Sequence, residues 1–475
     1  MSNPRGFIEI KRQEPTYRAA DKRIKDFAEV ENFLYLAPEE MLKQAERCMD
    51  CGIPFCHGSG CPLCNVIPEF NEFVVQGHWQ DALNILLSTN DFPEFTGRIC
   101  PAPCETACTA GLNSSPVTIR QIELAIVEKG FEAGWIKPEQ PMQRTGKKIA
   151  VVGSGPAGMA VANRLNKQGH TVTVFERDNY AGGLLRYGIP DFKLAKKIVQ
   201  RRIDLMSAEG IKFETGVAVG TDMSLDLLQR KFDAVCLCGG AGTPRDLPIP
   251  GRELDGVHFA MDFLHQQNCR NSGEVVKTDE ILATGKKVVV IGGGDTGSDC
   301  VGTSIRQGAA SVVQIEIMPK PPEERPASTP WPQWPYQLRT SSSHKEGCER
   351  RWNIASISFS GNGKIEQLNV IDVEWTLNNG LPDKLSEVAG SESVIDADLV
   401  LLAMGFVGPA DKAIYDAAAL TYDSRGNIAV DDCGMTALDG IFAAGDIVSG
   451  PSLVVRGIDT GRKLAENVNR YLELI

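Results

Sequence analysis

The chain has 475 residues, of which 42% are apolar and 23% charged, and its formal net charge is −12. This length exceeds that of one ordinary domain and indicates about three domains. The negative charge argues against a nucleic-acid partner, because binding to phosphates needs an excess of positive charge. The first thirty residues hold no apolar signal core, and no stretch reaches the roughly 20 apolar residues that span a bilayer. We therefore expect a cytoplasmic protein that binds no membrane.

Eight of the fourteen cysteines lie between Cys48 and Cys108. In a reducing compartment, clustered cysteines are more often metal ligands than disulfides. Residues 1–37 form a polar N-terminal arm that we expect to pack on a neighbouring surface. Pro38 suits the first turn of a helix that is predicted to run to about Met49, with Cys48 at its C-terminal end.

The clustered cysteines form two groups, separated by a helical stretch predicted from Ile67 to Leu87. Short spacings in Gly- and Pro-rich loops are typical of backbone that wraps an iron–sulfur cluster. Zinc sites usually show two Cys-x-x-Cys knuckles, and only the first group has that spacing. Two [4Fe-4S] clusters are therefore favoured, with zinc and inert thiols as the alternatives. The cysteines are Cys48, Cys51, Cys56, Cys61 and Cys64, then Cys100, Cys104 and Cys108.

A polar linker, residues 138–147, precedes a dinucleotide-binding fingerprint. The apolar run 149–152 suits a buried parallel strand, and a helical pattern follows the glycines. In Gly-x-Gly-x-x-Gly, the first glycine allows a tight turn and the second lets the backbone approach a pyrophosphate. The third lets helix pack on strand, so that the pyrophosphate lies at the helix N-terminus. The fingerprint comprises Gly153, Ser154, Gly155, Pro156, Ala157 and Gly158.

The segment after this fingerprint carries further nucleotide-binding signals. A strand at 171–175 ends at Glu176, whose carboxylate can accept hydrogen bonds from a ribose. Gly183 and Leu184 belong to a double-glycine stretch whose backbone can pass close to a flat ring system. The alternative for the fingerprint is a structural glycine turn.

A second fingerprint follows the strand 288–291. Its own second strand, 312–315, ends at Glu316. Two nucleotide-binding halves indicate two nucleotides, or one nucleotide and one relic, and the intact glycines favour two sites. The turn comprises Gly292, Gly293, Gly294, Asp295, Thr296 and Gly297.

The C-terminal half contains three more informative segments. Residues 319–335 hold seven prolines and are predicted to be a surface excursion. Gly445-Asp446 ends a strand, and this aspartate can bind a sugar-like hydroxyl chain. A helix predicted over 451–472 has its N-terminus free to face an electron-rich ring edge.

Over essentially its whole length the chain resembles the small (beta) subunits of bacterial glutamate synthase. The resemblance rests on the arm, both cysteine groups, both fingerprints, the Ala-Ala-Gly-Asp motif and the last helix. It implies an α/β fold with two Rossmann-like domains, for FAD and NAD(P), of the glutathione/adrenodoxin reductase type, preceded by a helical [4Fe-4S] domain. The implied domains are residues 1–140 (iron–sulfur), 147–250 with 405–475 (FAD) and 251–404 (NAD(P)H).

The resemblance also implies the cofactor sites. FAD is expected on Gly153, Gly155, Pro156, Ala157, Gly158, Glu176, Gly183, Leu184, Gly445 and Asp446. NAD(P)H is expected on Gly292, Gly293, Gly294, Asp295, Thr296, Gly297 and Glu316. The cofactors do the chemistry while the protein supplies spacing and electrostatics, so we assign no catalytic acid or base.

The resemblance further implies that the cysteine groups cross over between two clusters. One cluster is expected on Cys48, Cys51, Cys56 and Cys108. The other is expected on Cys61, Cys100, Cys104 and a non-cysteine, Glu123. Cys64 is then a spare thiol, or the alternative fourth ligand if Glu123 is only a solvated helix charge. An extra residue between Cys56 and Cys61 departs from the family's pattern.

The implied function is electron input from NAD(P)H, through FAD and the clusters, to a large subunit that makes L-glutamate from L-glutamine and 2-oxoglutarate. The assembly is then a hetero-oligomer. A related subunit serving pyrimidine reduction or electron bifurcation is the alternative. A thiol reductase is disfavoured because no Cys-x-x-Cys follows Cys64, and Cys236 and Cys238 are predicted to be packing residues. The intact glycines argue against a non-enzymatic scaffold.

Coenzyme choice is expected to depend on Glu316, because a carboxylate accepts from both ribose hydroxyls but repels a 2′-phosphate. At about 4 Å and an effective dielectric near 20, that repulsion is roughly 4 kcal/mol before screening. The resemblance to bacterial subunits implies NADPH instead, with Arg306, Lys320 or Arg325 as the cations that would contact its phosphate from outside the strand. We expect NADH to be accepted at least as well as NADPH.

Overall fold

The computed structural model describes residues 3–33, 37–378, 381–410 and 412–474. The helices of the first 140 residues are α1 Gly6–Glu9, α2 Ala20–Arg23, α3 Pro38–Ala45, α4 Ile67–Val75, α5 Trp79–Thr89, α6 Pro93–Ile99, α7 Pro103–Thr106 and α8 Ile119–Glu132. The later helices are α9 Pro156–Lys167, α10 Leu184–Tyr187, α11 Lys196–Ala208, α12 Leu225–Lys231, α13 Ala260–Ser272, α14 Asp295–Arg306, α15 Lys412–Ala417, α16 Asp446–Ser449 and α17 Val454–Leu472.

The strands form two parallel sheets, one antiparallel sheet and a short pair in the arm. Up to residue 260 they are β1 Thr16–Tyr17, β2 Glu31–Asn32, β3 Lys148–Val152, β4 Thr171–Glu176, β5 Lys212–Thr215, β6 Ala234–Leu237 and β7 Val257–Phe259. The others are β8 Lys287–Ile291, β9 Ser311–Glu316, β10 Glu349–Trp352, β11 Ile354–Ser360, β12 Gln367–Asn378, β13 Leu381–Glu387, β14 Ser393–Asp396, β15 Leu399–Leu402 and β16 Ile441–Ala443.

The N-terminal domain is helical, as predicted. The helical stretch predicted from Ile67 to Leu87 consists of two helices, α4 and α5. Gly77 separates them with a φ of +77°, and its N–H donates to the carbonyl of Val74 (3.0 Å). Glycine adopts this left-handed conformation without strain, and it is a common helix C-terminal signal. The apolar periodicity continues across the break, which is why the sequence pattern concealed it.

The first parallel sheet has the order β16-β6-β3-β4-β5. One face packs on α9 and α17 in a core that continues into the helical N-terminal domain. The other face is covered by α12 and the segment around Leu420. The apolar run of β3 is buried over Ile149–Val151, as a central parallel strand requires.

The second parallel sheet has the order β10-β9-β8-β15-β7 and forms the core of a second nucleotide-binding body. Helices α13 and α14 pack on one face. The antiparallel sheet of β11 to β14 covers the other. The α/β architecture with two Rossmann-like parallel sheets behind a helical domain is thus confirmed.

Helices α9 and α17 cross at very close range. An ideal Cβ at Gly461 of α17 would lie 2.4 Å from the Ala157 carbonyl oxygen and 3.0 Å from the Ala160 Cβ. Only a residue without a side chain fits there. Within the described ranges, no helix is long and apolar enough to cross a membrane.

Replacing Gly461 by Ala is expected to force α17 away from α9 and to destabilise the fold by about 1–3 kcal/mol. The matched control is Gly457→Ala, one turn earlier, where a Cβ would make an ordinary contact at 3.7 Å with Pro156. That control should be neutral or slightly stabilising, because Ala exceeds Gly in helix propensity by up to about 1 kcal/mol. Urea denaturation of both variants measures the difference, and equal midpoints would contradict the close crossing.

Candidate iron–sulfur and dinucleotide sites

The first cysteine site is a cavity in the helical domain. Cys48 follows α3, Cys51 lies in the next loop, and Cys56 begins a π-helical turn. Cys108, which follows α7, completes the set of four that line the cavity. These are the four residues that the resemblance places around one cluster.

The second site is another cavity in the same domain. It is lined by Cys61 after the π turn, Cys100 after α6, Cys104 within α7 and Glu123 within α8. Val455, in the first turn of α17, lines the same cavity. The structure therefore brings together the expected second ligand set and places it beside a helix of the first nucleotide-binding body.

The π turn Cys56–Gly60 explains how neighbouring cysteines enter different cavities. The Cys61 N–H donates to the Cys56 carbonyl, five residues back (3.0 Å). A π turn holds one more residue than an α turn, which accommodates the extra residue between the two cysteines. An ideal Cβ at Gly60 would lie 2.7 Å from the Cys104 Cα, so only glycine lets this turn lie against α7.

Glu123 is 6% exposed, which rules out a solvated helix charge. Its Oε2 accepts from Asn65 Nδ2 (3.1 Å), and its Oε1 accepts from Asn90 Nδ2 (3.3 Å) and from the Thr96 hydroxyl. Burial raises the pKa of the Glu123 carboxyl to about 7, against the hydrogen bonds, which lower it. Asn65, Asn90 and Thr96 belong to no local motif, and sequence reasoning missed them.

The donor groups fit iron–sulfur clusters. Burial raises the pKa of the Cys48 thiol to about 11 and those of Cys61 and Cys100 to about 12. Coordination to a metal is what keeps such buried sulfurs as thiolates. Among the described residues, no three His, Cys, Asp or Glu side chains converge closely enough to hold one metal ion. Four donors around a cavity suit a polynuclear cluster better than a single zinc ion.

The first fingerprint lies between β3 and α9. Gly153 has a φ of +98°, and a Cβ there would lie 2.5 Å from the Cys238 carbonyl oxygen. A Cβ at Gly158 would lie 2.0 Å from the Gly153 carbonyl oxygen. At Gly155, by contrast, a Cβ would meet no atom of the described residues within 4 Å. This leaves space for a pyrophosphate at the N-terminus of α9.

Glu176, at the end of β4, is buried against this turn. Its Oε2 accepts from the backbone N–H and the hydroxyl of Ser154, and its Oε1 accepts from the Asp178 N–H (3.0 Å). The Ser154 hydroxyl in turn accepts from the Gly182 N–H (2.8 Å). The Glu176 carboxylate thus holds the turn and, through the Ser154 hydroxyl, the following double glycine. The sequence did not suggest this role of Ser154.

Two further predicted segments converge on the first fingerprint. Gly183 has a φ of +50°, and a Cβ there would lie 2.9 Å from the Gly155 Cα. Gly445 has a φ of +82°, and its Cβ would lie 2.7 Å from the Ala157 Cβ. Leu184, 47% exposed, follows at the start of α10. These backbones enclose the space in front of α9, as a bound dinucleotide requires.

Polar groups hold both of these segments in place. The Asp446 Oδ1 accepts from the Ser452 hydroxyl (2.7 Å), and burial raises the pKa of the Asp446 carboxyl. The ammonium of buried Lys196 donates to backbone carbonyls within 185–194 at 2.5–3.3 Å. Burial lowers the pKa of Lys196 to about 8. In the sequence Lys196 looks like an ordinary charged residue of a helix, and no local motif predicts that it binds these backbone carbonyls.

The second fingerprint repeats this construction between β8 and α14. Gly292 has a φ of +123°, and a Cβ there would lie 2.2 Å from the Ala403 carbonyl oxygen. A Cβ at Gly297 would lie 2.2 Å from the Gly292 carbonyl oxygen, whereas Gly294 faces open space among the described residues. The first turn of α14 comprises Asp295, Thr296 and Gly297.

Glu316, at the end of β9, occupies the place that Glu176 has in the first body. Its Oε2 accepts from the Gly293 N–H (2.5 Å), and its Oε1 accepts from the Met318 N–H (3.2 Å). The carboxylate is only partly buried. It therefore braces the turn while remaining at the position expected for a ribose.

Two protein families match the chain. Residues 147–461 match the pyridine nucleotide-disulphide oxidoreductases, and residues 23–135 match dihydropyrimidine dehydrogenase domain II, 4Fe-4S cluster. The glutamate synthase [NADPH] small chain of Mycobacterium tuberculosis is 50% identical over 99% of this chain and 96% of its own length. The glutamate synthase [NADH] of Saccharomyces cerevisiae is 46% identical over 99% of this chain and 22% of its own length.

Among solved structures, Mycobacterium tuberculosis FprA in complex with NADPH shares the fold, with a TM-score of 0.53 and 22% identity. It aligns over 69% of this chain and 86% of its own. The fold, the two fingerprints and the family matches define an NAD(P)H-dependent flavoprotein oxidoreductase with an iron–sulfur domain. Within that class, the chain belongs to the family of glutamate synthase small chains. The family expected from the sequence is confirmed.

Cys64 provides a test of the ligand assignment, because its side chain is exposed and its φ is +53°. Cys64→Ser is expected to retain roughly eight irons per chain, the content of two cubane clusters. The matched substitution Cys61→Ser removes a buried thiol of the second cavity and should lose about half of that iron. Iron and sulfide analysis of both variants measures the cluster content. Loss of a cluster in Cys64→Ser would refute the ligand assignment.

Proposed function

We propose that the chain is the electron-input subunit of a glutamate synthase. It oxidises NAD(P)H and passes electrons through FAD and two [4Fe-4S] clusters to a large subunit, which makes L-glutamate from L-glutamine and 2-oxoglutarate. The observation that carries this proposal is the combination of two four-ligand cavities and two dinucleotide fingerprints in one chain of the small-chain family.

The division of labour follows from the positions of the sites. FAD held at the first fingerprint would supply the conversion of a hydride into single electrons, the form that [4Fe-4S] clusters accept. The N-termini of α9 and α14 present backbone N–H groups for the FAD and NAD(P)H pyrophosphates. Val455 lines the second cavity and belongs to α17, the helix that packs on α9. We infer that electrons reach the second cavity first and leave through the first.

The proposed domains are those expected from the sequence: 1–140, 147–250 with 405–475, and 251–404. The first parallel sheet draws β3 to β6 and β16 from the FAD segments, and the second draws β7 to β10 and β15 from the NAD(P)H segment. We place the protein in the cytoplasm, as a hetero-oligomer with the large subunit.

Expressed alone, the chain is expected to reduce an artificial electron acceptor with NAD(P)H, because both nucleotide sites lie within it. Isolated from its natural source, it should co-purify with a large subunit that contacts the iron–sulfur domain, since electrons must leave near the clusters. Acceptor reduction that required the large subunit would contradict a self-contained electron-input unit. A co-purifying pyrimidine reductase or ferredoxin-linked partner would favour the alternative function.

Coenzyme choice depends on which charges surround Glu316. The side chain of Arg306 is fully buried in an ion pair with Glu346, so it cannot contact a coenzyme phosphate. Lys320 pairs with Glu323 at the surface, and Arg325 donates to backbone carbonyls. The relatives include proteins named for each coenzyme. The carboxylate of Glu316 is therefore the charge that supports NADH.

Steady-state kinetics should give a kcat/KM for NADH at least equal to that for NADPH. Glu316→Gln keeps an acceptor oxygen for the Gly293 N–H but removes the charge. It should raise the relative kcat/KM for NADPH by about tenfold or more, within the roughly 4 kcal/mol of unscreened repulsion. A wild-type preference for NADPH of about a hundredfold, or 2.7 kcal/mol, would show that Glu316 points away from the ribose.

A further inference from the structure

A buried ion-pair network joins the N-terminal arm to the second nucleotide-binding body. The Arg23 Nε donates to Glu346 Oε1 (2.5 Å), and Arg306 donates to both oxygens of the same carboxylate (2.6 and 3.1 Å). The side chains of Glu346 and Arg306 are fully buried, and that of Arg23 is 5% exposed. Arg23 also donates to the Ser342 carbonyl (2.8 Å). Charges buried in this way need fixed partners, so this is a specific attachment.

The same arm is attached on its other side to the iron–sulfur domain. The Glu29 Oε1 accepts from Arg98 Nε of α6 (3.1 Å). The Glu31 Oε1 accepts from Arg120 and Gln121 of α8 (both 2.7 Å). The arm therefore bridges two parts of the molecule that are far apart in the sequence.

Helix α14 connects the attachment to the second fingerprint, because it begins at that fingerprint and ends at Arg306. The Arg306 Nε donates to the Asp26 carbonyl (3.1 Å), and its guanidinium lies 3.9 Å from the Phe192 ring centroid. The Val30 N–H donates to the Phe192 carbonyl (3.0 Å). The arm thus holds one end of a rigid helix whose other end is the predicted coenzyme site.

The covalent connection between the two nucleotide-binding bodies is narrow. The chain passes between them at 242–245 and 405–408, and these segments lie side by side, with backbone hydrogen bonds of 2.9–3.1 Å. Paired linkers of this kind form a single hinge, about which a body can turn unless it is attached elsewhere. The arm provides such an attachment, in addition to direct contacts between the bodies, where Lys193 pairs with Asp299 and Tyr187 stacks on His265 and donates to Glu274.

We propose that Arg23 is a positioning residue, through which the N-terminal arm fixes the second nucleotide-binding body in the orientation required for hydride transfer to FAD. The inference rests on the proposed function, since it takes NAD(P)H to bind at the second fingerprint and FAD at the first. Arg23 touches neither fingerprint and acts through Glu346 and α14. Small displacements of reacting groups slow a reaction steeply, so loss of the attachment has a kinetic consequence.

The test compares Arg23→Met with Lys22→Met, which removes the same charge from an exposed neighbour on α2. Arg23→Met leaves Glu346 paired with Arg306, so no buried carboxylate loses all its partners. In anaerobic stopped-flow mixing with NADH or NADPH, the limiting rate of flavin reduction should fall about ten- to a hundredfold in Arg23→Met only. Hydrogen–deuterium exchange of the same proteins should rise in peptides covering 299–306 and 342–346, with flavin and iron contents equal to the control.

A reduction rate in Arg23→Met equal to that of Lys22→Met would overturn the proposal, whatever happens to stability. A slower rate without increased exchange would also overturn it, because the arm would then not be holding the body. If Arg23→Met does not accumulate with flavin and iron, Arg23→Lys is measured by the same criteria. Wild-type flavin that neither coenzyme reduces would instead refute the proposed function.

Discussion

The close crossing of α9 and α17 is the constraint on which the sites depend. Gly461 lets α17 lie directly against the backbone of α9, whose N-terminus follows the first fingerprint. Asp91 of the iron–sulfur domain joins both helices, accepting from Asn163 (3.0 Å) and Arg164 (3.1 Å) of α9 and from Arg462 (3.3 Å) of α17. One crossing thereby sets the distance between the first fingerprint and the second cysteine cavity.

Asn90, the residue before Asp91, lines the second cysteine cavity. Asn90 donates to Glu123, while Asp91 faces the opposite way into the two helices. Consecutive side chains therefore connect the lining of the second cysteine cavity to the helices behind the first fingerprint. Burial supplies the energetic reason: neither the Glu123 carboxyl nor the Asp91 carboxylate is exposed, so each needs fixed polar partners.

Both nucleotide-binding bodies use a carboxylate at the end of the second strand to brace the fingerprint turn. Glu176 does so through Ser154, and Glu316 through the Gly293 N–H. The sequence predicted these two acids as ribose acceptors from their spacing alone. Their second role, in holding the glycine turn, follows from the register of neighbouring parallel strands, which brings β4 beside β3 and β9 beside β8.

The sequence by itself determined the α/β class, the strand–turn–helix units and the cysteine-rich loops, because these depend on backbone conformation within a few residues. It did not determine the break at Gly77, which lies inside a continuous apolar pattern, or the partition of the cysteines, which needed a family resemblance. Only the tertiary structure placed Asn65 and Thr96 beside Glu123 and paired Arg23 with Glu346, 323 residues away. Such contacts arise from the packing of distant elements, whose relative positions no local spacing encodes.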